Sequence, residues 1–339
     1  MHFQAKRVII DVKRKEISGL HELKIGKNDA GQRLDKFITK ALDIPMSLLY
    51  KSIRMKKIKV NRKRAEISTR LAEGDTVQCF LPDEFFTGRT EENSLGRITP
   101  HLDIIFEDEN IMLLNKRPGV SVHEDENGST NTLITHVQAY LYQKGEYDPD
   151  AEMSFAPALC NRIDRNTGGI VIAAKCAEAL RVMNEKIKLR EIDKFYLAAV
   201  HGIPSPAEAT IEGYLLKDDK NNIVRVYDKN PPRGAKQIRT RYKVVAKAAD
   251  TALIEVELLT GRTHQIRAHM AYIGHPLVGD GKYGINKGDR QRGYKYQALY
   301  SYKLRFNFSR DTETVLDYLN GKEFSISKRD IYFTEDFFK

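Results

Sequence analysis

Residues 161–175 read NRIDRNTGGIVIAAK, and this stretch decides how the larger part of the chain is interpreted. A charged Arg-Ile-Asp triplet and a glycine pair lead directly into an apolar run with the composition of a buried strand. Asp164 is therefore predicted to lie at the mouth of a sheet, where a ligand approaches the backbone closely. A carboxylate there serves as a nucleophile, a base or a metal ligand, although Asp beside Arg is more often a surface ion pair.

A second informative stretch covers residues 258–284, LLTGRTHQIRAHMAYIGHPLVGDGKYG. A strand ends there, Arg262 follows a glycine, and a helix is predicted to begin near Thr263. A guanidinium held at that point by a rigid strand would pair with a carboxylate and keep it ionised and oriented. A purely structural salt bridge is the alternative.

The elements around these two stretches predict the fold class. Apolar runs typical of strands occupy 102–106, 111–115, 169–174, 195–200, 252–259 and 298–307, and helical patterns occupy 131–143, 177–188 and 263–273. Strands and helices do not alternate regularly, as they do in a doubly wound fold. An α+β fold around a mainly antiparallel sheet flanked by helices is therefore predicted.

The N-terminal part is predicted to be a separate small unit. Apolar residues at helical spacing predict one helix over 32–42, with Asn28 or Asp29 ahead of it as a cap, and a second helix that Ser47 caps after Pro45. Short strands are predicted at 58–60 and 77–81. Basic residues crowd the exposed side and C-terminal end of the second helix and form one ridge; they are Lys51, Arg54, Lys56 and Lys57.

Charge and composition point to a nucleic-acid partner for this unit. Residues 1–82 hold 19 Lys/Arg against 9 Asp/Glu, whereas residues 83–339 hold 37 of each, so the net charge of +10 lies entirely in the N-terminal quarter. Such a concentration suits phosphate backbones, because each neutralised phosphate releases counterions. A solvated basic surface without a partner is the alternative. The polar stretch 83–100, which contains two glycines and a proline, is interpreted as a linker.

Several classes of protein are disfavoured. No apolar run resembles a signal peptide or a membrane span, so a cytoplasmic protein without membrane contact is expected. The three cysteines lack metal-ligand spacing, and His264, His269 and His275 are spaced by five and six residues, which does not fit a helical zinc pair. The glycines fit no nucleotide-binding loop. We therefore expect no metal and no cofactor, and nothing requires more than a monomer.

The segments GQRLDKFITK, SLLYKSIRMKKIKVN and LAEGDTV resemble the S4 RNA-binding domain over residues 27–82. The resemblance implies a set of RNA-facing residues, which are Arg33, Lys51, Arg54, Lys57 and Lys59. The domain order predicted is then an N-terminal extension (1–26), the S4-like domain (27–82), the linker (83–100) and a catalytic domain (101–339).

Four motifs in the larger domain resemble the RluA-type pseudouridine synthases. They are EDENIMLLNKRPGVSVH (107–123), RIDRNTGGIVIAAK (162–175), KFYLAAVHG (194–202) and the GRTHQIRAHMAYIGHPLVGD part of the second stretch. The resemblance implies the pseudouridine synthase fold and a metal-free isomerisation of uridine in structured RNA. Asp164 would be the nucleophile, Tyr196 would stack on the target base, and Arg262 would pair with Asp164. Arg162 would hold the backbone of the extruded nucleotide.

Large-subunit ribosomal RNA is the substrate that this resemblance implies first, and transfer RNA is the second. The chain departs from the family pattern at Asn161, where many members carry His, and at Gly168, where they carry Ser. Two other functions remain open. One is a non-catalytic RNA-binding assembly factor, which the retention of Asp164, Tyr196 and Arg262 disfavours. The other is a hydrolase that releases the base if water reaches the site.

Overall fold

The computed structural model describes residues 18–86, 94–124, 131–218, 220–309 and 313–338. These residues form two compact units. The S4-like unit consists of residues 18–86 together with 149–155, and the catalytic unit contains the remaining described residues. A short segment from within the predicted catalytic domain therefore packs in the smaller unit.

The S4-like unit is a small antiparallel sheet covered by two helices. Its elements are β1 (Ser18–Lys24), α1 (Leu34–Ala41), α2 (Met46–Arg54), β2 (Ile58–Val60), β3 (Lys63–Arg64) and β4 (Thr76–Pro82), and the strand order is β1-β4-β2-β3. The apolar residues of both helices, among them Leu34, Phe37 and Leu49, are buried against the sheet core at Val77 and Leu81. Both predicted helices and both predicted strands are confirmed, and β1 lies in the stretch interpreted as an extension.

The predicted helix caps are wrong. Arg33 precedes α1 and Pro45 precedes α2, and neither provides a side-chain cap. Asp29 is instead buried and accepts a 2.5 Å hydrogen bond from the Ser154 hydroxyl. Within this unit, Asp29 thus anchors the segment 149–155, a long-range contact that no local cap signal reveals.

The catalytic unit contains one large mixed sheet. Its strands are β5 (Ile104–Glu107), β6 (Ile111–Lys116), β7 (Ala158–Leu159), β8 (Gly168–Ala174), β9 (Ile192–His201), β10 (Glu208–Asp218), β11 (Ile223–Tyr227), β12 (Lys236–Ala248), β13 (Thr251–Leu258), β14 (Leu299–Phe306) and β15 (Glu323–Ser325). The order is β11-β10-β12-β13-β9-β14-β8-β6-β5, with β15 beside β14 and β7 beside β8. Among these strands of the described ranges, only β14 and β8 pair in parallel. The helices are α3 (Leu133–Gln143), α4 (Ala177–Leu189), α5 (Gln265–Tyr272) and α6 (Lys287–Gln291).

The predicted α+β class with a mainly antiparallel sheet is confirmed, and each predicted strand and helix has a counterpart. The strands β10, β11 and β12 were not predicted. They lie at one end of the sheet, and more buried and more exposed residues alternate along β10 and along the first part of β12. Exposed strands carry many charged residues, and their sequence therefore lacks the continuous apolar runs of the central strands.

The strand β8 is buried along its whole length, and the loop that contains Asp164 leads into it. Gly169 has a φ of 115°, and a Cβ at this position would lie 2.1 Å from the Ser301 carbonyl oxygen of β14. A glycine is therefore required where β8 and β14 meet. This close approach fixes the loop that ends at β8, including Asp164, against the middle of the sheet. No helix in the described ranges is long and apolar enough to cross a membrane.

Candidate active site

Asp164 lies in the loop that enters β8. A turn closes behind it, in which the Thr167 N–H donates to the Asp164 carbonyl at 3.0 Å. The Asp164 side chain is 25% exposed. The carboxylate is thus held by a short hydrogen-bonded turn just before an interior strand of the sheet, and it is reachable from solvent.

Arg267 is the cation that pairs with Asp164. It lies in the first turn of α5, and its Nη1 donates to Asp164 Oδ2 at 2.8 Å. Its Nε and Nη2 donate to the two carboxylate oxygens of Asp280 at 2.7 and 2.9 Å. Burial opposes the charge on Arg267, but the hydrogen bonds and charge of Asp280 and the charge of Asp164 raise its pKa above the ordinary value. The guanidinium is therefore a fixed positive charge shared by two carboxylates.

The assignment of this ion pair to Arg262 is corrected. The Arg262 side chain is exposed, and its backbone N–H donates to the Gln265 side chain at 3.1 Å. The helix begins at Gln265 rather than near Thr263, so the pairing arginine comes from the helix and not from the turn before it. Both arginines belong to the same quoted motif, and only the helix start distinguishes them.

Tyr196 lies on β9 beside the site and is buried. It faces Val256 on one neighbouring strand and Ser301 on the other. Burial, and secondly the charge of Asp164, raise its pKa to about 12, so the side chain stays a neutral phenol. The structure brings Asp164, Tyr196 and Arg267 together. Arg162 is exposed on the same loop, near enough to His123 to lower the pKa of that imidazole, after the larger effect of burial.

Lys116 is a site residue that the sequence analysis missed. It is buried, and its Nζ donates to the carbonyl oxygens of Arg117, Val120 and Arg165 at 2.9–3.0 Å. Three acceptors need three N–H groups, which only the ammonium form supplies. Burial lowers the Lys116 pKa to about 7, and the charge of Asp164 opposes this shift. Lys116 therefore ties the loop after β6 to the residue that follows Asp164.

The two departures from the family pattern have local structural reasons. The Asn161 side chain is buried, and its oxygen accepts a hydrogen bond from the Ile172 N–H of β8 at 2.7 Å. A Cβ on Gly168 would lie 2.3 Å from Cε2 of Tyr300, whose hydroxyl donates to Asn115 at 2.6 Å. In this chain the Tyr300 ring occupies the space that a side chain at position 168 would need.

We expect Gly168→Ala to lower the free energy of unfolding by about 1–3 kcal/mol, because the new methyl group overpacks against Tyr300. The cost should fall to near zero in a Tyr300→Leu background, where the ring edge is gone. A double-mutant cycle by urea unfolding measures this coupling. Gly288→Ala, where a Cβ meets nothing within 4 Å, is the control. Equal costs of Gly168→Ala in both backgrounds would contradict the explanation.

The histidines of the second stretch make hydrogen bonds within the protein. The Thr240 hydroxyl accepts from Gln265 at 3.0 Å and lies 3.0 Å from Nδ1 of buried His269. His275 lies 2.9 Å from the His201 carbonyl. Within the described ranges no group of three or more His, Cys, Asp or Glu side chains is arranged to hold a metal ion.

His269 predicts a specific pH dependence of stability. Burial lowers its pKa to about 4, below the ordinary value of about 6.5. The unfolded chain binds the proton first, so this stabilisation is complete above pH 6.5 and is lost as the pH falls towards 4. The loss should reach about 2 kcal/mol at pH 5, at about 1.4 kcal/mol per pH unit. Urea unfolding at pH 7 and pH 5 measures this loss. The free energy of unfolding of His269→Gln should fall by about 2 kcal/mol less between these pH values than that of the wild type. A parallel loss in both proteins would exclude His269 as the titrating group.

The predicted RNA-facing residues lie on the S4-like unit and differ in their exposure and partners. Lys51 and Arg54 are exposed on α2 and border a groove of about 550 Å³ together with Tyr50 and Arg64. Arg33 pairs with Asp35 at 3.0 Å. Lys57 and Lys59 are half-buried. The Nζ of Lys59 lies over the Phe80 ring, 5.5 Å from its centre.

Comparisons with known proteins identify the family and support the fold. A family model described as RNA pseudouridylate synthase matches residues 110–272. The chain is 33% identical over 291 residues to ribosomal large subunit pseudouridine synthase C of Vibrio vulnificus. The aligned region covers 83% of this chain and 87% of the relative. It is 35% identical over 292 residues to an uncharacterized RNA pseudouridine synthase of Mycoplasma genitalium, covering 83% and 88%. The solved structure of human RNA pseudouridylate synthase domain containing 1 matches 71% of this chain and 95% of its own with a TM-score of 0.52 at 21% identity, which supports the fold.

Proposed function

The chain belongs to the RNA pseudouridylate synthase family, and from this premise we propose that it isomerises uridine in large-subunit ribosomal RNA with Asp164 as the nucleophile. The observation that carries the proposal is the pairing of Asp164 with Arg267 at the mouth of the sheet, beside buried Tyr196. Ribosomal RNA is preferred because relatives at 33% identity are named as ribosomal large subunit pseudouridine synthases.

The two oxygens of Asp164 have different surroundings. Oδ2 accepts from Arg267, whereas Oδ1 has no hydrogen-bond partner among the described residues. Arg267 orients the carboxylate through Oδ2, and Oδ1 is the oxygen left to attack. Oδ1 attacks either the sugar or the base of uridine, and the bond that it forms breaks again before the product leaves. The N1–C1′ bond breaks, the base turns, and C5 joins C1′. C5 gives its proton to water and N1 takes one up, so the atoms balance without a metal or a cofactor.

The target base has to leave any helix before it reaches Asp164, because the reacting bond is inaccessible within a stack. A neutral aromatic ring at the site offsets part of the lost stacking energy, and Tyr196 provides such a ring. Arg162 is exposed on the Asp164 loop, and we expect it to contact the phosphate backbone of the extruded nucleotide.

Product analysis tests the proposal. Unmodified large-subunit ribosomal RNA and transfer RNA are incubated with the protein, digested to nucleosides and separated by chromatography. We expect pseudouridine in the ribosomal RNA. Pseudouridine only in transfer RNA would replace the proposed substrate, free uracil would indicate the hydrolase, and tight binding without a product would favour the assembly factor.

The basic ridge of the S4-like unit, comprising Lys51, Arg54, Lys56 and Lys57, is proposed to bind RNA phosphates. Charge reversal at Arg54 and Lys57 should weaken binding and reduce the slope of log K against log salt by about one per lost phosphate contact. Titrations at several salt concentrations measure the slope. Lys27→Glu, an exposed lysine outside the ridge, is the matched control. An unchanged slope in both ridge variants would remove the ridge from the proposal.

A further inference from the structure

His264 lies close to the Asp164 carboxylate and has no role in the reaction proposed above. Its Nε2 is 3.8 Å from Asp164 Oδ2, and its side chain is 10% exposed. It precedes α5, but it makes no side-chain cap to the helix. Its backbone has a φ of 55°, in the left-handed region that a residue with a side chain seldom adopts. Because this conformation is unfavourable and no cap explains it, another requirement holds the ring in place.

A chain of hydrogen bonds determines which nitrogen of His264 carries the hydrogen. The backbone N–H of Val224, on β11, donates to the Tyr283 hydroxyl oxygen at 2.9 Å. That hydroxyl lies 2.8 Å from Nδ1 of His264. If Nδ1 carried the hydrogen, the Tyr283 hydrogen would have no acceptor among the described residues. The arrangement that gives both hydrogens an acceptor within the protein has Nδ1 accepting from the Tyr283 hydroxyl and, in the neutral ring, Nε2–H facing the Asp164 carboxylate.

The same tyrosine connects His264 to the arginine of the site. The Arg267 guanidinium lies over the Tyr283 ring, 5.3 Å from its centre, and the Tyr283 N–H donates to Asp280 at 3.2 Å. Burial lowers the His264 pKa; Arg267 and Lys282 act in the same direction, whereas Asp164 and Asp280 oppose them. Burial and the two cations outweigh the two carboxylates, so the net shift favours the neutral ring.

We propose that His264 is a positioning residue, whose tautomer Tyr283 fixes, and that its Nε2–H donates to Asp164 Oδ2 when substrate closes the site. Oδ2 then accepts from both Arg267 and His264, and Oδ1 alone remains to attack. The 3.8 Å separation in the free protein is too long for a hydrogen bond, and catalytic hydrogen bonds commonly shorten in the substrate complex. The inference rests on the proposed function, since it assigns a partner to its nucleophile.

A matched pair of variants tests the donor. His264→Met and His264→Gln have similar length and face the same backbone constraint, but only glutamine keeps an N–H near the Nε2 position. We expect methionine to lower kcat about 10- to 100-fold with KM changed less than about threefold, as for loss of a hydrogen bond to a charged group. Glutamine should recover most of the rate. Equal rates for the two variants would overturn the proposal.

Nitrogen-15 NMR of the histidine side chains tests the tautomer without any RNA. The His264 ring of the wild type should show a protonated Nε2 and an unprotonated Nδ1, and Tyr283→Phe should abolish this preference. A protonated Nδ1 in the wild type would overturn the inference. If the wild type forms no pseudouridine, the proposed function fails, and the NMR result alone then decides the state of His264.

Discussion

Asp164→Asn should reduce pseudouridine formation at least about 10⁴-fold while leaving RNA affinity within about twofold of the wild type. Asparagine keeps the shape of the side chain and an oxygen for Arg267, but its amide has no anionic oxygen to attack. The S4-like unit is unchanged, so RNA binding persists. Single-turnover product analysis and a filter-binding titration on the same RNA measure the two quantities.

The fold of this variant should be preserved, because Asp280 still neutralises Arg267 through two hydrogen bonds. An unfolding midpoint within a few degrees of the wild type is the control that excludes a structural cause. If Asp164→Asn turned over at a rate near that of the wild type, Asp164 would not be the nucleophile, and another group at the site would have to be found.

Arg267→Gln should lower both activity and stability. It removes the cation from Asp164 and also leaves Asp280, whose side chain is fully buried, without a counter-charge. An uncompensated buried charge costs about 3–5 kcal/mol, and the unfolding free energy should fall by that order. We expect kcat to fall about 10²-fold or more, because the carboxylate loses its orientation.

Two further variants separate these effects. Adding Asp280→Asn to Arg267→Gln removes the buried charge, so stability should return in part while activity does not. Arg262→Gln, the exposed arginine of the same motif, should keep kcat within about threefold of the wild type. If Arg262→Gln were as inactive as Arg267→Gln, or if the double variant regained activity, the pairing of Arg267 with Asp164 would not explain catalysis.

The sequence predicted the central strands well because their apolar runs are long and buried, as in β8 and β13. The edge strand β11 was missed because it is only five residues long and Arg225 interrupts its apolar run. That omission matters at the site, since Val224 of β11 fixes Tyr283 and through it His264. The identity of a hydrogen-bond donor on another strand does not follow from local sequence.

The site was predicted to the level of motifs and not of contacts. Asp164 and Tyr196 lie together as the family resemblance implied, although their catalytic roles remain proposals. The choice between Arg262 and Arg267 depended on a helix start displaced by two residues. Lys116 appeared in a quoted motif, but its three carbonyl acceptors come from two separate loops. Such contacts are determined by tertiary packing.

Release of tritium from RNA labelled at C5 of uridine tests the central claim most directly. The wild type is incubated with labelled large-subunit ribosomal RNA in the presence of a metal chelator and without a cofactor, beside Asp164→Asn. We predict release to water by the wild type only, since C5 gives up its proton when it joins C1′. Equal release by both proteins, or no release by the wild type on RNA that it binds tightly, would contradict isomerisation by Asp164.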